Sequence, residues 1–250
     1  AVRKFKRRKP ECVVVLTGCM PQAFPDIAAS LPEADIVLGN RTNTALPALL
    51  NTYFEHGAQL IHITSHAADT TYVQAGIGDF CERTRAIVKI EDGCDCFCSY
   101  CIVPYARGRV RSKPLTEIAA EVRRLADAGF KELVLVGINL SAYGSDIDSS
   151  LCDAVDIACA TRGVERVRLG SLEPDTMTAT MITRLKTQPK LCAHFHLSLQ
   201  SGCDKTLKAM NRRYTSEQFR QLSTSLRASF PDCTLTTDVM VGFPGETEED

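Results

Sequence analysis

The 250-residue chain carries 29 Lys and Arg against 30 Asp and Glu, a formal net charge of −1, with 44% apolar and 24% charged residues. Those proportions exclude a disordered chain and give no compositional ground for a nucleic-acid or acidic-membrane partner, so any basic surface has to be local. Twelve cysteines are present, yet no apolar run approaches the ~20 residues that cross a bilayer, and a soluble protein of the reducing cytoplasm, with no membrane partner, is the expectation.

Residues 1 to 9 hold six Lys and Arg and read as the solvated end of a helix. Cys12-Val13-Val14-Val15-Leu16 is an apolar, β-branched run of buried-strand type leading into Thr17-Gly18-Cys19, and Ala34 to Gly39 repeats the pattern. Leu46, Leu49, Leu50 and Tyr53 then recur at helical spacing, which together reads as part of a small α/β domain over residues 1–57. Residues 58–83 are irregular and polar and read as a linker; His62 and His66 within it lack a carboxylate or cysteine in register and do not read as a metal pair.

From residue 84 to 250 strand-like and helix-like segments alternate. The strands are Ala86 to Ile90, Leu133 to Val136, Val164 to Leu169, His194 to Leu199 and Thr234 to Val241. Between them, Leu115, Ile118, Val122 and Leu125 form one helical stripe, Leu151 to Ala160 and Met177 to Leu185 supply two more helices, and Thr215 with Gln218 suits a capping box ahead of a fourth. Five βα units in series predict an α/β fold with a parallel sheet curling toward a barrel, truncated at its C-terminal end. The chain starts at Ala and stops in an acidic, helix-starting run, so it reads as a piece of a longer protein.

In such a barrel the chemistry sits in the loops after the carboxyl ends of the strands. Those loops are Gly93 to Cys101, Gly137-Ile138-Asn139, Gly170-Ser171-Leu172-Glu173, Gln200-Ser201-Gly202 and Gly242 to Glu246. The first packs four thiols, Cys94, Cys96, Cys98 and Cys101, into one turn of chain. Thiols this close pair as disulfides, hold zinc or hold an iron–sulfur cluster. Structural zinc asks for a second close pair, which the chain lacks, so a zinc-stabilised binding module is the minor alternative. The C-x3-C-x2-C spacing of Cys94, Cys98 and Cys101 lets three thiolates reach three irons of a cubane and leaves the fourth open. Cys96 reads as a bystander whose alternation with its neighbours points it away. Arg107, Arg109, Arg111 and Lys113 form a local basic run suited to phosphate, with Arg212 and Arg213 on another rim segment.

These residues resemble the radical S-adenosylmethionine enzymes, whose signature is C-x3-C-x2-C after the first barrel strand. More specifically, Asp92-Gly93-Cys94, Phe97 to Gly108, Thr17-Gly18-Cys19, His196 to Gly202, Met210 to Tyr214 and Thr237 to Glu246 resemble the methylthiotransferases of the MiaB, RimO and MtaB groups, in order along nearly the whole chain. Pro104 to Gly108 and Gly137 to Gly144 look most like the MtaB group. The resemblance implies the C-terminal part of a methylthiotransferase N-terminal domain at 1–57 and a partial radical-SAM barrel at 84–250. It implies methylthiolation of C2 of N6-threonylcarbamoyladenosine in the tRNA anticodon stem-loop, with isopentenyladenosine in tRNA or a ribosomal-protein aspartate as the sister substrates.

By the same resemblance, a 4Fe-4S cluster on Cys94, Cys98 and Cys101 would bind S-adenosyl-L-methionine and release a 5′-deoxyadenosyl radical, the step that makes these three the catalytic residues. Asn139, Ser171, Glu173, Gln200, Ser201, Gly242, Gly245 and Glu246 would hold S-adenosyl-L-methionine, and Arg107, Arg109 and Arg111 the RNA. Cys19 would ligate a second, auxiliary 4Fe-4S cluster that donates the methylated sulfur, its two companion cysteines and an RNA-gripping TRAM domain lying outside these 250 residues. An electron donor such as a flavodoxin-type reductant is the remaining implied partner.

Overall fold

In the computed structural model, residues 2–66, 72 and 84–250 are described, so most of the expected linker (67–71 and 73–83) lies outside the described residues. The chain forms two compact units, Ala1–Val73 with Cys101–Arg109, and Gln74–Tyr100 with Val110–Asp250.

The first unit is a small parallel sheet with short helices. Helix α1 (Val2–Arg8) ends in three basic residues, as suits the negative end of a helix dipole. Strands β1 (Val15–Leu16), β2 (Ile36–Leu38) and β3 (Leu60–His62) pair in parallel in that order. Strand β3 falls where linker was expected: it is an exposed edge strand of mixed polarity, which carries no apolar run to announce it. Asp35 ties the unit together, accepting hydrogen bonds from Lys6 Nζ (2.7 Å), the Val14 N–H (2.7 Å) and the Tyr53 hydroxyl (2.8 Å) of helix α4 (Leu46–His56). Helix α2 (Cys19–Ala23) packs on helix α3 (Pro25–Ala29) and on helix α5 (Val103–Arg107), and Asn40 Nδ2 donates to the Ala106 carbonyl at 2.5 Å.

The second unit contains four βα repeats and a fifth strand, where five repeats were expected: no helix follows that strand among the described residues. Strands β4 (Arg85–Lys89), β7 (Glu132–Val136) and β8 (Arg166–Leu169) form one parallel sheet, and β9 (Ser171–Leu172), β10 (His194–Leu197) and β11 (Thr234–Thr236) another. Strands β8 and β9 are one run interrupted at Gly170, whose N–H still bonds to Leu135. The array therefore follows sequence order, as expected of a partial barrel. A short antiparallel ladder of β5 (Glu91–Asp92) and β6 (Arg111–Ser112) continues β4.

Along β4, β7, β8 and β10 alternate residues are buried, Ala86 and Val88, Leu133 and Leu135, Val167 and Leu169, Phe195 and Leu197, whereas β11 buries none. They pack in one cluster with Ile118, Val122 and Leu125 of helix α6 (Leu115–Asp127), with helix α7 (Leu151–Ala160) and with Ile182 and Leu185 of helix α8 (Ala179–Lys186). The opposite strand face, including Val134, Val136, His194 and His196, stays half-buried. Capping boxes start α7 (Ser150 with Asp153) and α10 (Ser216–Ser229, Thr215 with Gln218), each satisfying two amides that a helix start leaves bare. Helix α9 (Asp204–Ala209), not foreseen, is too short to show a periodic apolar face.

Candidate functional site

The cysteine loop leaves β5 through Gly93, whose φ of 95° only glycine adopts without strain. Among the described residues no two cysteines are joined in a disulfide, and no three His, Cys, Asp or Glu side chains gather as they would round a metal ion. Cys94, Cys96 and Cys98 lie in the second unit, whereas Cys101 begins the segment that clusters with the first.

Hydrogen bonding round the thiols is specific. Asn139 Nδ2, from the loop after β7, lies 3.4 Å from Cys96 Sγ and 3.8 Å from Cys94 Sγ. The Cys96 N–H and thiol both donate to Cys94, which holds the Cys94 thiol down to about 6 against its burial and pushes the Cys96 thiol well up. Cys96 thus turns toward Cys94, not away as its alternation implied, because the loop is no extended strand: Phe97 takes a left-handed φ of 48°. Arg212 Nη1 reaches Cys98 Sγ at 3.2 Å.

The strand-end residues come next. Asn139 is buried; its N–H donates to Glu91 Oε2 at 2.7 Å, and its Oδ1 has no hydrogen-bond partner among the described residues. Ser171 is exposed on β9. Glu173 donates its N–H to the Ser141 hydroxyl (2.8 Å) and accepts the Arg212 guanidinium at its carboxylate; burial pushes that carboxyl up to about 6, with Arg212 opposing. Gln200 adopts φ 67° and bridges in parallel to Val239, and buried Ser201 accepts the Cys203 N–H at 3.2 Å. Gly242 (φ 74°) and Gly245 (φ 85°) bracket an exposed turn that Glu246 Oε2 closes on the Phe243 N–H at 3.0 Å.

Sequence reasoning did not single out Glu91. It is fully buried beneath this rim, one oxygen on Asn139 and the other without a hydrogen-bond partner among the described residues, and burial pushes its carboxyl up to about 8. Gly137 is its necessary neighbour, since a Cβ there would stand 2.6 Å from Glu91 Oε2.

The basic run divides. Arg109 is exposed and Arg107 half-buried, both in the first unit's segment. Arg111 is 5% exposed and lies 3.6 Å from Asp92, and Lys113 is 2% exposed and ion-paired to Glu121, so these two side chains are directed inward on β6 and beyond it. Arg212, expected on the rim for phosphate, is likewise committed: its partners are Glu173, Cys98, the Ser198 carbonyl and the Tyr214 hydroxyl. In the first unit Cys19 opens α2 behind Gly18, half-buried, 3.6 Å from Asn40 Nδ2.

The groups round Cys94, Cys96 and Cys98 have the chemistry that the ligands of an iron–sulfur cluster ask for. Amide and guanidinium donors aimed at sulfur favour thiolates. The orphaned Asn139 Oδ1 beside Cys94 is an acceptor suited to an ammonium group.

Comparison with known proteins agrees. Residues 88–250 match the Radical SAM superfamily. Over its whole length the chain is 38% identical to a protein named threonylcarbamoyladenosine tRNA methylthiotransferase MtaB, from Thermotoga maritima, and 36% identical to one named tRNA-2-methylthio-N(6)-dimethylallyladenosine synthase, from Clostridium beijerinckii. It covers 56% of each, so the chain spans about half the length of the curated relatives it matches. Among solved structures, the radical S-adenosylmethionine methyltransferase TsrM from Kitasatospora setae, with tryptophan substrate and a SAM analog bound, shares the fold at a TM-score of 0.68 and 16% identity, over 99% of this chain and 53% of that one. A cysteine-rich loop after the first strand of a parallel array, with the superfamily match running from that strand to the last residue, leaves one conclusion: the chain belongs to the radical SAM superfamily.

Proposed function

We propose that the protein carrying this chain is a radical-SAM tRNA methylthiotransferase that modifies C2 of N6-threonylcarbamoyladenosine. The observation that carries this reading is similarity over the entire chain, through both the cysteine loop and the Cys19 segment, to a protein named for that reaction. Cys94, Cys98 and Cys101 would hold a 4Fe-4S cluster, and Cys19 one corner of a second. Such a cluster with an open iron supplies one-electron reduction of a bound sulfonium, the cofactor's own hard chemistry.

The chain's residues orient and shield. Asn139 would accept from the cofactor's ammonium through Oδ1 while its Nδ2 donates toward sulfur. Ser171, Glu173, Gln200, Ser201 and the Gly242 to Glu246 turn would line the rest of the cofactor's path along consecutive strand ends, the position at which barrels of this type place their ligands. At Gly242 and Gly245 an added Cβ would meet nothing within 4 Å, so the left-handed backbone alone calls for glycine there. Arg107 and Arg109 would meet RNA phosphate.

Nucleoside mass spectrometry of tRNA from a deletion strain tests the substrate. Loss of the methylthio group from threonylcarbamoyladenosine is expected. Loss from isopentenyladenosine instead would move the protein to the sister activity, for which the 36% identity to the dimethylallyladenosine synthase is the supporting observation. Anaerobic reconstitution with iron and sulfide tests the chemistry, and stoichiometric zinc without an iron chromophore would return it to a binding module.

A further inference from the structure

The segment after α9 grips the cysteine loop from a distance of more than a hundred residues in sequence. Asn211 takes a left-handed φ of 58°, which reverses the chain at the helix end and lays the next residues along the loop. Four bonds then fix the loop's backbone and its Ser99: Ser99 N–H to the Met210 carbonyl (3.0 Å), Ser99 Oγ to the Ala209 carbonyl (2.9 Å), Asn211 Nδ2 to the Phe97 carbonyl (2.9 Å) and Arg213 Nη2 to the Asp95 carbonyl (2.8 Å).

In the middle of this grip sits Arg212. Its side chain is 5% exposed, and its fork is spent on Cys98 Sγ (3.2 Å), Glu173, the Ser198 carbonyl (3.1 Å) and the Tyr214 hydroxyl (3.1 Å), with the guanidinium 5.0 Å above the Tyr214 ring. A guanidinium stays charged in any protein interior, so burying one is tolerable only against anions. Glu173 supplies one negative charge, and Cys98, as a ligand of the proposed cluster, would supply the second. Packing alone would be met more cheaply by an apolar side chain, and RNA contact is closed to a group this enclosed.

We infer that Arg212 is a positioning residue that clamps the Cys98 thiolate to Glu173 and sets the charge felt by the cluster. The inference rests on the cluster reading above. A fixed positive charge donating to a ligand sulfur favours the reduced, more negative form of a cluster, and so raises its midpoint potential. The fork adds a geometric role, since a bidentate donor joins Cys98 and Glu173 in one plane where a lysine would reach only one of them.

The test uses the full-length protein, purified and reconstituted anaerobically, as wild type, R212K and R212Q. Iron per chain, the midpoint from a mediated titration read by electron paramagnetic resonance, and the melting temperature are measured for each. R212Q, which keeps a donor and removes the charge, is expected to shift the midpoint to more negative potential. R212K, which keeps the charge and removes the fork, is expected to hold the midpoint near wild type and to lose iron faster under chelator. An R212Q protein that binds iron with the wild-type midpoint and line shape overturns the inference. So does an R212K protein that retains iron as wild type does, a result that decides the matter if R212Q fails to fold. Wild type lacking an iron chromophore refutes the cluster reading itself, an outcome distinct from unshifted variants in a loaded protein.

Discussion

Replacing Glu91 with Gln isolates the electrostatic cost of the buried carboxyl beneath the rim. The amide keeps an acceptor for the Asn139 N–H and the same volume, and removes only the ability to ionise. Burial, the largest cause, moves the carboxyl from 4.5 to about 8 in the folded protein. Between these values the unfolded chain has released a proton that the folded chain still holds, so this group lowers stability as pH rises from about 4.5 to about 8 and is constant beyond. Integrated, the penalty is about 1 kcal/mol at pH 5 and about 4 kcal/mol at pH 8. E91Q should therefore gain on the wild type by ~3 kcal/mol between pH 5 and pH 8, roughly 1–2 M in urea midpoint at a slope of about 2 kcal/mol per molar. The assay is urea unfolding of the cluster-free, reduced protein by circular dichroism at pH 5, 6, 7 and 8. A stability gap between the two proteins that stays constant across the series refutes the reasoning, and so does one that narrows.

Other substitutions test the scaffold. G137A puts a Cβ 2.6 Å from Glu91 Oε2 and 3.0 Å from Glu91 Cβ, and should cost about 1–3 kcal/mol; combined with E91A the cost should fall below the sum of the two, as thermal melts of the cycle will show. T215A removes the cap of α10 and should cost about 1 kcal/mol, with amide exchange accelerating first at Gln218. In the first unit, burial works against the charge of Asp35 while Lys6, the Val14 N–H and Tyr53 outweigh it, so its carboxyl lies below the ordinary value. Its contribution is present above that ordinary value and lost as pH falls, and D35N should be less stable at neutral pH with a flatter acid limb in a pH titration of unfolding.

The strands β4 and β7 were legible because parallel strands packed on helices read as short apolar runs, and α10 because its cap signature is local chemistry three residues wide. Strand β3 was not, since Leu60-Ile61-His62 is too short an apolar run to stand out from the polar stretch around it. The thiols, being a spacing, were visible; the state of Arg212 was not. Its two anions lie 39 and 114 residues away, and a sequence shows a charge run without showing which members turn inward. The same limit applies to Arg111 and Lys113, whose alternation with Arg107 and Arg109 looked uniform until β6 and helix α6 enclosed them.

The break at Gly170 divides one strand's loyalties: before it, Arg166–Leu169 keep register with β7, and after it Ser171 and Leu172 keep register with β10. Across the break the two registers stay tied, since Val167 before it is bridged in parallel to Leu191 ahead of β10. A one-residue insertion at this point would leave Leu135 opposite Leu169 while exchanging the faces on which Ser171 and Leu172 emerge. Because Leu172 is part of the buried core, such a change would turn it outward and Ser171 inward, so the register of the core itself holds the reach of Glu173 toward Arg212.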